Sequence, residues 1–416
     1  MTARLATRRT DCRLCGGSKL VEVLKLTPTP PANAFVKASE ISRPQQTFPL
    51  DFFLCQDCGH LQLLDVVDPA VLFEDYVYVS GTSPVFVKHF ETYAESVISR
   101  FSVQPGSLVV DIGSNDGTLL RFFKDAGMKA LGVDPAKEIA RGATASGIET
   151  LPVFFTGKLA GELRVQRGPA SVVTANNVFA HADDLKGMLS GVRALLADDG
   201  VFVFEVSYLL DVYTKTLFDT MYHEHLAYHS VRPLRDFFKA HGMELISAIR
   251  VESHGGSLRG VAQLAGGPRR PDPSVDELIA LEAKLGLQTA ESLKSFGAKI
   301  DAVKTSLQKL LKDLKGQGKS IAGFGAPAKA TTLMYHFGLG PDLIDFIVDD
   351  SPWKQGLYSP GLHVPVTASQ AIYERNPDCL LILAWNFAEP IMAKHKAFSD
   401  RGGRFIIPLP EVSVKP

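Results

Sequence analysis

The sequence predicts a multidomain α/β protein: a small cysteine-bearing N-terminal region, then two Rossmann-like α/β units. Three observations lead there. Two Cys-x-x-Cys pairs fall within the first 60 residues. Strand and helix patterns alternate from 101 to about 265. A second strand, glycine-rich turn and helix begin near residue 319, after a long amphipathic stretch. The length agrees, since 416 residues at about 150 per domain give two to three domains. A chain of this size can bury roughly 75% of its unfolded surface and needs no disulfide staples.

Taken in order, residues 1–70 hold four cysteines among short strand-like pieces and the Pro-rich patch TPTPPANAF, and form the expected first domain. The apolar spacing of Val85 to Ile98 suits a helix leading into the second domain, 71–267. There SLVVDIG, ALGVD, SVVTANN, GVFVFEV and LRGVAQLA read as strands, and GTLLRFFKDAG and LKGMLSGVRALLADDG as helices. That alternation argues for a mostly parallel sheet with helices on both faces. GGPRRPDPS is turn-rich and marks a boundary. The third domain, 268–416, opens on an amphipathic helical linker, Val275 to Lys315. It continues as strand KSIAGFG, helix ATTLMYHFG, and strands LIDFIVDD and CLLILAW.

Charge excludes some partners. Forty-four basic against 45 acidic residues leave a net charge of −1, which argues against duplex nucleic acid or an acidic membrane surface. Apolar runs such as Val201 to Phe204 and Leu380 to Trp385 fall far short of the ~20 residues that span a bilayer. The N-terminal MTARLATRRTDC lacks an apolar core, so it is no secretory signal, and a cytoplasmic location is expected.

In a reducing compartment paired cysteines point to metal. Cys12 and Cys15 precede Gly16, and Cys55 and Cys58 precede Gly59. Each knuckle brings two thiolates to one ion, and two knuckles complete a tetrahedral Cys₄ zinc site. Four thiolates close the shell, so the zinc is expected to be structural. A redox dithiol is the competing reading. Cys379 opens an apolar strand and is expected in the core.

The turn Asp111-Ile112-Gly113-Ser114-Asn115-Asp116-Gly117 joins a strand to a helix, and its glycines let a ligand lie against the backbone. Asp134 ends the next strand, 17 residues after Gly117, where an acid can take both hydroxyls of a ribose. A third strand runs into Asn176 and Asn177, placed for an adenine or a reacting centre. This pattern resembles class I S-adenosylmethionine-dependent methyltransferases. The second turn, Gly323-Phe324-Gly325-Ala326-Pro327-Ala328-Lys329, matches Gly-x-Gly-x-x-Ala, with Asp349 and Asp350 about 20 residues on. Taken alone it reads as an NAD site, but the prolyl nitrogen cannot donate to a pyrophosphate. A nucleotide-sugar subsite or a purely structural domain is the stronger expectation.

Three loops complete the candidates. Tyr222-His223-Glu224-His225 offers a base, an orienting group and a phenol within one turn. His225 and His229 could share a helical face, although two metal ligands without a third are weak evidence. The competing reading is a satisfied polar helix start. Ser253-His254-Gly255-Gly256-Ser257-Leu258-Arg259 precedes a strand, with Arg259 placed either for a phosphate or on the surface of a tight turn. Asp75 to Ser83 is rich in hydroxyls and offers Thr82 or Ser83 as a helix N-cap.

Together the motifs resemble the zinc-containing, adenosylmethionine-dependent C-methyltransferases of deoxysugar biosynthesis, which methylate C-3′ of TDP-linked 4-keto-deoxysugars. The resemblance covers essentially the whole chain. It includes both cysteine knuckles, Asp-Ile-Gly-Ser-Asn-Asp-Gly, Ala-Asn-Asn-Val-Phe-Ala-His at 175–181 and Tyr-His-Glu-His at 222–225. It continues with His-Gly-Gly-Ser-x-Arg at 254–259, Gly-x-Gly-Ala-Pro-Ala-Lys at 323–329, and Asp-Asp-Ser-Pro-x-Lys-Gln-Gly at 349–356. It implies a zinc-binding domain, a methyltransferase domain and a Rossmann-like C-terminal domain. It implies that His225 with Glu224 supplies the base, and that Tyr76 and Tyr222 line the active site. The cofactor would meet Asp111, Gly113, Asn115, Gly117, Asp134, Asn176 and Asn177. The sugar nucleotide would meet His181, His254, Ser257, Arg259, Lys329 and Asp350. A monomer or weak oligomer is expected. An NAD-dependent sugar-nucleotide oxidoreductase, or an O- or N-methyltransferase on the same substrate class, remains the alternative.

Overall fold

A computed structural model describes residues 5–73, 81 and 84–416. Tyr76, together with Thr82 and Ser83, lies outside the described residues. The chain forms two compact units, one of Met1–Val21, Leu54–Leu210 and Leu226–Thr289, the other of Glu22–Phe53, Asp211–His225 and Ala290–Pro416.

The first unit is built on a seven-stranded sheet. Its strands are β1 (Leu108–Ile112), β2 (Lys129–Val133), β3 (Thr150–Leu151), β4 (Ala170–Asn176), β5 (Leu196–Ser207), β6 (Met243–Val251) and β7 (Ser257–Leu264). Their spatial order is β6-β7-β5-β4-β1-β2-β3. Only β7 runs antiparallel to its neighbours β5 and β6. Every residue of β1 is buried, as a Val/Ile run covered on both faces by helices should be. Helix Pro84–Phe101 buries Phe90, Tyr93, Ala94 and Val97, a single stripe at three- and four-residue steps. Helix Thr118–Asp125 buries Leu119, Leu120 and Phe123, worth roughly 1.5–3 kcal/mol for each side chain.

Two elements differ from expectation. The helix read as LKGMLSGVRALLADDG stops at Leu195, and Leu196 already pairs with Ala170 in β5. The register then shifts before Val201 pairs with Val172, so Asp198, Asp199 and Gly200 form an irregularity inside a strand. The amphipathic stretch Val275 to Lys315 is two helices, Ser274–Lys284 and Ala290–Gly316, broken near Gly286, whose φ is +65°. Unforeseen β6 forms the sheet edge beside β7.

The second unit carries a six-stranded sheet of β8 (Ile321–Phe324), β9 (Phe346–Val348), β10 (Val366–Thr367), β11 (Cys379–Ile382), β12 (Arg404–Ile407) and β13 (Ser413–Lys415). The order β10-β9-β8-β11-β12-β13 is parallel except for β13. Phe324, Ile382, Phe398 and Phe405 pack its core, and Cys379 is buried. No described helix is long and apolar enough to cross a membrane.

Candidate active site

Two cysteine knuckles lie in the first unit. Gly16 donates its amide to the Cys12 carbonyl and Gly59 to the Cys55 carbonyl, each glycine at positive φ. The turns bring the four Sγ atoms within 4.8 Å of one another. Cys12 and Cys58 sulfurs lie 3.6 Å apart, as do those of Cys15 and Cys55. Tetrahedral Zn–S bonds of about 2.3 Å place sulfurs about 3.8 Å apart, so this donor set fits zinc. The contact between Cys12 and Cys58 lowers the pKa of the Cys12 thiol and raises that of Cys58. The knuckles are tied to their surroundings by Arg13, which is buried. Its Nε donates to Asp183 at 3.0 Å and its Nη1 to the Gln62 side chain at 3.0 Å and to the Leu63 carbonyl.

At the carboxyl end of β1 the chain turns through Gly113 and Asn115, at φ of +70° and +52°, into Gly117, which caps the following helix at +76°. A Cβ on Gly113 would stand 2.2 Å from the Val178 side chain. The Asp134 carboxylate, at the end of β2, accepts from the amides of Asn115 at 2.8 Å and Ala136 at 2.9 Å. Burial raises its pKa against the pull of those amides. The Ser114 hydroxyl is buried in the turn with no hydrogen-bond partner among the described residues. A glycine-bent backbone, an acid on the adjoining strand and an orphaned hydroxyl fit adenosylmethionine, with Asn176 ending β4 alongside.

Asp111 lies under this turn and accepts from Thr174 Oγ1 at 2.6 Å. Burial raises its carboxyl from 3.8 to about 7, so the folded chain holds that proton more tightly than the unfolded chain. Stability drawn from it is full below about pH 4 and is lost as pH rises through about 7. Asp111→Asn removes the titration. The variant should therefore gain stability relative to the native chain between pH 4 and 8, by up to about 4 kcal/mol at 1.36 kcal/mol per pKa unit. Denaturant unfolding of both proteins at the two pH values checks this, and a difference independent of pH would refute it.

Asn177, at φ +56°, donates its side-chain N–H to His254 Nε2 at 3.0 Å. Ser257 donates to the Ser253 carbonyl at 3.0 Å. The Arg259 side chain is mostly withdrawn from solvent rather than on the surface of a turn. Its Nε and Nη2 both approach Glu205 Oε1 at 2.6 Å, and its Cζ lies 4.2 Å over the Tyr93 ring. His89 Nε2 meets the other Glu205 oxygen at 2.8 Å, and Ser253 Oγ meets it at 3.3 Å. Burial pushes Glu205 up, but His89 and Arg259 outweigh it and hold the carboxyl below its usual range. In register Glu205 pairs with Asn176 on one side and Arg259 on the other, so this network underlies the asparagine pair. The sequence reading missed Glu205 and His89. The available signal was a lone carboxylate ending the apolar strand GVFVFEV. His181 stacks on Phe73, with ring centroids 5.4 Å apart.

The histidine-rich turn lies in the second unit. His225 Nδ1 is 2.8 Å from the Thr220 carbonyl. A carbonyl only accepts, so Nδ1 carries a proton. Tyr222 lies against the same ring, with centroids 4.4 Å apart. Glu224 is buried and accepts from Asn33 Nδ2 at 3.2 Å. His223 Nε2 donates to the Phe48 carbonyl at 3.1 Å, and burial lowers its pKa to about 4, which keeps the ring neutral. The helical face expected to align His225 and His229 does not form. Ala227–Tyr228 is a strand, and in the first unit the buried His229 ring stacks on both His60 and Phe179.

In the second glycine turn Asp349 accepts from the Ala326 amide at 2.6 Å and the Ser351 amide at 2.8 Å. That wiring repeats the Asp134 turn, and the acid closes its own loop. Asp350 is paired with Lys394 at 2.7 Å and Ser369 at 2.5 Å. The Lys329 ammonium lies 3.3 Å from Asp219 and 4.4 Å over the Trp385 ring.

A seven-stranded sheet with one reversed strand, and a glycine turn facing an acid on the adjoining strand, define a class I methyltransferase unit. The comparisons agree: a methyltransferase domain family matches residues 86–248, a zinc binding domain family 12–73, and a C-methyltransferase C-terminal domain family 252–410. The chain is 35% identical to the C-methyltransferase NovU of Streptomyces niveus over 404 residues, covering 97% of this chain and 96% of that one. It belongs to this C-methyltransferase family and is an adenosylmethionine-dependent C-methyltransferase with a zinc-binding domain that brings four cysteines together. Among solved structures it is similar to magnesium protoporphyrin IX methyltransferase from Synechocystis PCC 6803 with bound SAM. Identity there is 15%, coverage 44% of this chain and 81% of that one, and TM-score 0.33. It is also similar to an adenosylmethionine-dependent methyltransferase from Clostridium acetobutylicum ATCC 824, at 12% identity, 43% and 92% coverage, and TM-score 0.34.

Proposed function

We propose that the chain methylates C-3′ of a TDP-linked 4-keto-deoxysugar, with His225 as the base. The observation that supports this reading is the Thr220 carbonyl at 2.8 Å from His225 Nδ1, which places a proton on Nδ1 and assigns the role of acceptor to Nε2 in this reading. The sugar-nucleotide substrate rests on the motif resemblance at 175–181, 222–225 and 254–259. A carbon acceptor needs a carbanion, and a 4-keto group makes the C-3′ hydrogen acidic. His225 Nε2 takes that proton, and the Tyr222 hydroxyl steadies the enolate oxygen. When bound, adenosylmethionine supplies an activated methyl on a sulfonium. The Gly113–Gly117 turn, Asp134, Asn176 and Asn177 orient it, and Glu205 with Arg259 braces the floor beneath the asparagines.

The division into 1–70, 71–267 and 268–416 stays a proposal; the family matches at 12–73, 86–248 and 252–410 follow the same order along the chain but cross both of its boundaries. His181, His254, Ser257, Arg259, Lys329 and Asp350 remain assigned to the substrate, and Tyr76 to the lining of the active site, on the resemblance. The reading places the enzyme in the cytoplasm as a monomer or weak oligomer, where reduced thiols stay available for zinc. The test is product analysis with trial TDP-keto-sugars and methyl-labelled adenosylmethionine. Mass spectrometry should show one added methyl, and NMR should place it on carbon beside the ketone. A methyl on oxygen or nitrogen would overturn the reading.

A further inference from the structure

We propose that Asp219, Trp385 and Lys329 are positioning residues that fix the Thr220 carbonyl and so hold His225 in the tautomer that can accept a proton. The proposal rests on the reading of His225 as the base. Thr220 reaches the imidazole through its backbone oxygen, so where residues 218–221 lie bears on the tautomer. Within that segment the Thr220 hydroxyl donates to the Leu217 carbonyl at 2.7 Å. Thr220 donates its amide to the Leu217 carbonyl at 3.0 Å, and Met221 donates to that of Phe218 at 2.9 Å.

The remaining anchors come from elsewhere in the second unit. The Trp385 indole N–H donates to Asp219 Oδ2 at 2.6 Å, and the Lys329 ammonium lies 3.3 Å from the same oxygen. Lys329 also sits 4.4 Å over the Trp385 ring, which makes a three-membered cluster. Thr332, one turn further along the Ala328–Phe337 helix, donates to the Met221 carbonyl at 3.0 Å. Phe218 stacks on Phe337 of that helix, with centroids 5.0 Å apart. Residues on both sides of Thr220 are thus clamped by the helix that follows the second glycine turn.

Chemistry argues that the cluster serves geometry. Asp219 is fully buried, and a buried carboxylate is costly unless paired. An apolar side chain at 219 would hold a turn equally well, since replacing a buried ion pair by well-packed apolar residues is often neutral or stabilising. A short indole bond and a nearby cation, both on one carboxylate oxygen, restrict its direction as apolar packing does not. Displacements near 1 Å can cost about 10²-fold in rate, so the position of one carbonyl matters to a base one hydrogen bond away.

The test uses the full chain with ¹⁵N-labelled histidine. The His225 signals are identified by their loss in His225→Asn. In the native protein they should show a protonated Nδ1 and a bare Nε2. Trp385→Phe keeps an aromatic ring for Lys329 and deletes the N–H donor. It should mix the His225 tautomers and lower kcat about tenfold, the scale of one hydrogen bond to a charged group, with KM for adenosylmethionine unchanged. Should that variant fail to fold, Lys329→Gln carries the same two readouts. Unchanged nitrogen signals overturn the proposal, whether or not kcat falls. If His225→Asn still exchanges the C-3′ hydrogen with solvent, the base reading itself fails. If His225→Asn is inactive while Trp385→Phe keeps native signals and kcat, only the positioning role fails.

Discussion

His225→Asn is expected to lower methyl transfer by about 10²–10⁴-fold, the contribution of a well-placed general base. The asparagine side chain can still donate to the Thr220 carbonyl, so the turn should survive. What disappears is the lone pair at Nε2. Exchange of the C-3′ hydrogen with solvent deuterium needs only enolate formation, so it reports the lost step without methyl transfer. Both rates should fall together. Calorimetry should show native affinity for adenosylmethionine, because the residues proposed to hold it belong to the first unit and His225 to the second. Native turnover in the variant would remove His225 from the mechanism. Slow transfer with undiminished exchange would move it to a later step.

What could be read from the sequence was what repeats locally. Parallel strands covered on both faces are continuous Val, Ile and Phe runs, and β1, β4, β5 and β11 were visible for that reason. The cysteine knuckles and the Gly113 to Gly117 turn carry their geometry in their spacing. Less visible was β6, whose MELISAIRV pattern mixes two periodicities. The break near Gly286 was hidden because apolar residues continue in helical register on either side of it. Long-range partners left no local trace. Arg259 reads as a loop arginine until β5 and β7 are paired, when Glu205 falls opposite it. His225 reads as one of several histidines until the Thr220 backbone oxygen is seen beside it. Asp219 and Trp385, 166 residues apart, share a bond that no motif spans.

Loss of one zinc ligand should act on folding before chemistry. Cys55 is fully buried, its amide donates to the His60 carbonyl at 2.9 Å, and its carbonyl accepts from Gly59. Cys55→Ser leaves a three-thiolate shell and a buried hydroxyl with no ion to meet it. Structural zinc sites supply about 10–16 kcal/mol in small peptides, comparable with the whole net stability of a domain, about 5–15 kcal/mol. Even a partial loss should lower the unfolding midpoint by roughly 10 °C, at about 2–4 °C per kcal/mol for units of this size. The damage should spread beyond the knuckles. Arg13 adjoins Cys12 and reaches Asp183, and Arg232 donates to the Cys58 carbonyl at 3.3 Å, so the metal site is stitched into the methyltransferase unit. Circular dichroism melts, with released zinc read by a chromophoric chelator, should show a lower midpoint together with metal loss. The fraction still folded should keep its native kcat, because four thiolates close the native shell and leave the ion no open position for chemistry. A native midpoint with diminished kcat would mean that the ion takes part in the chemistry.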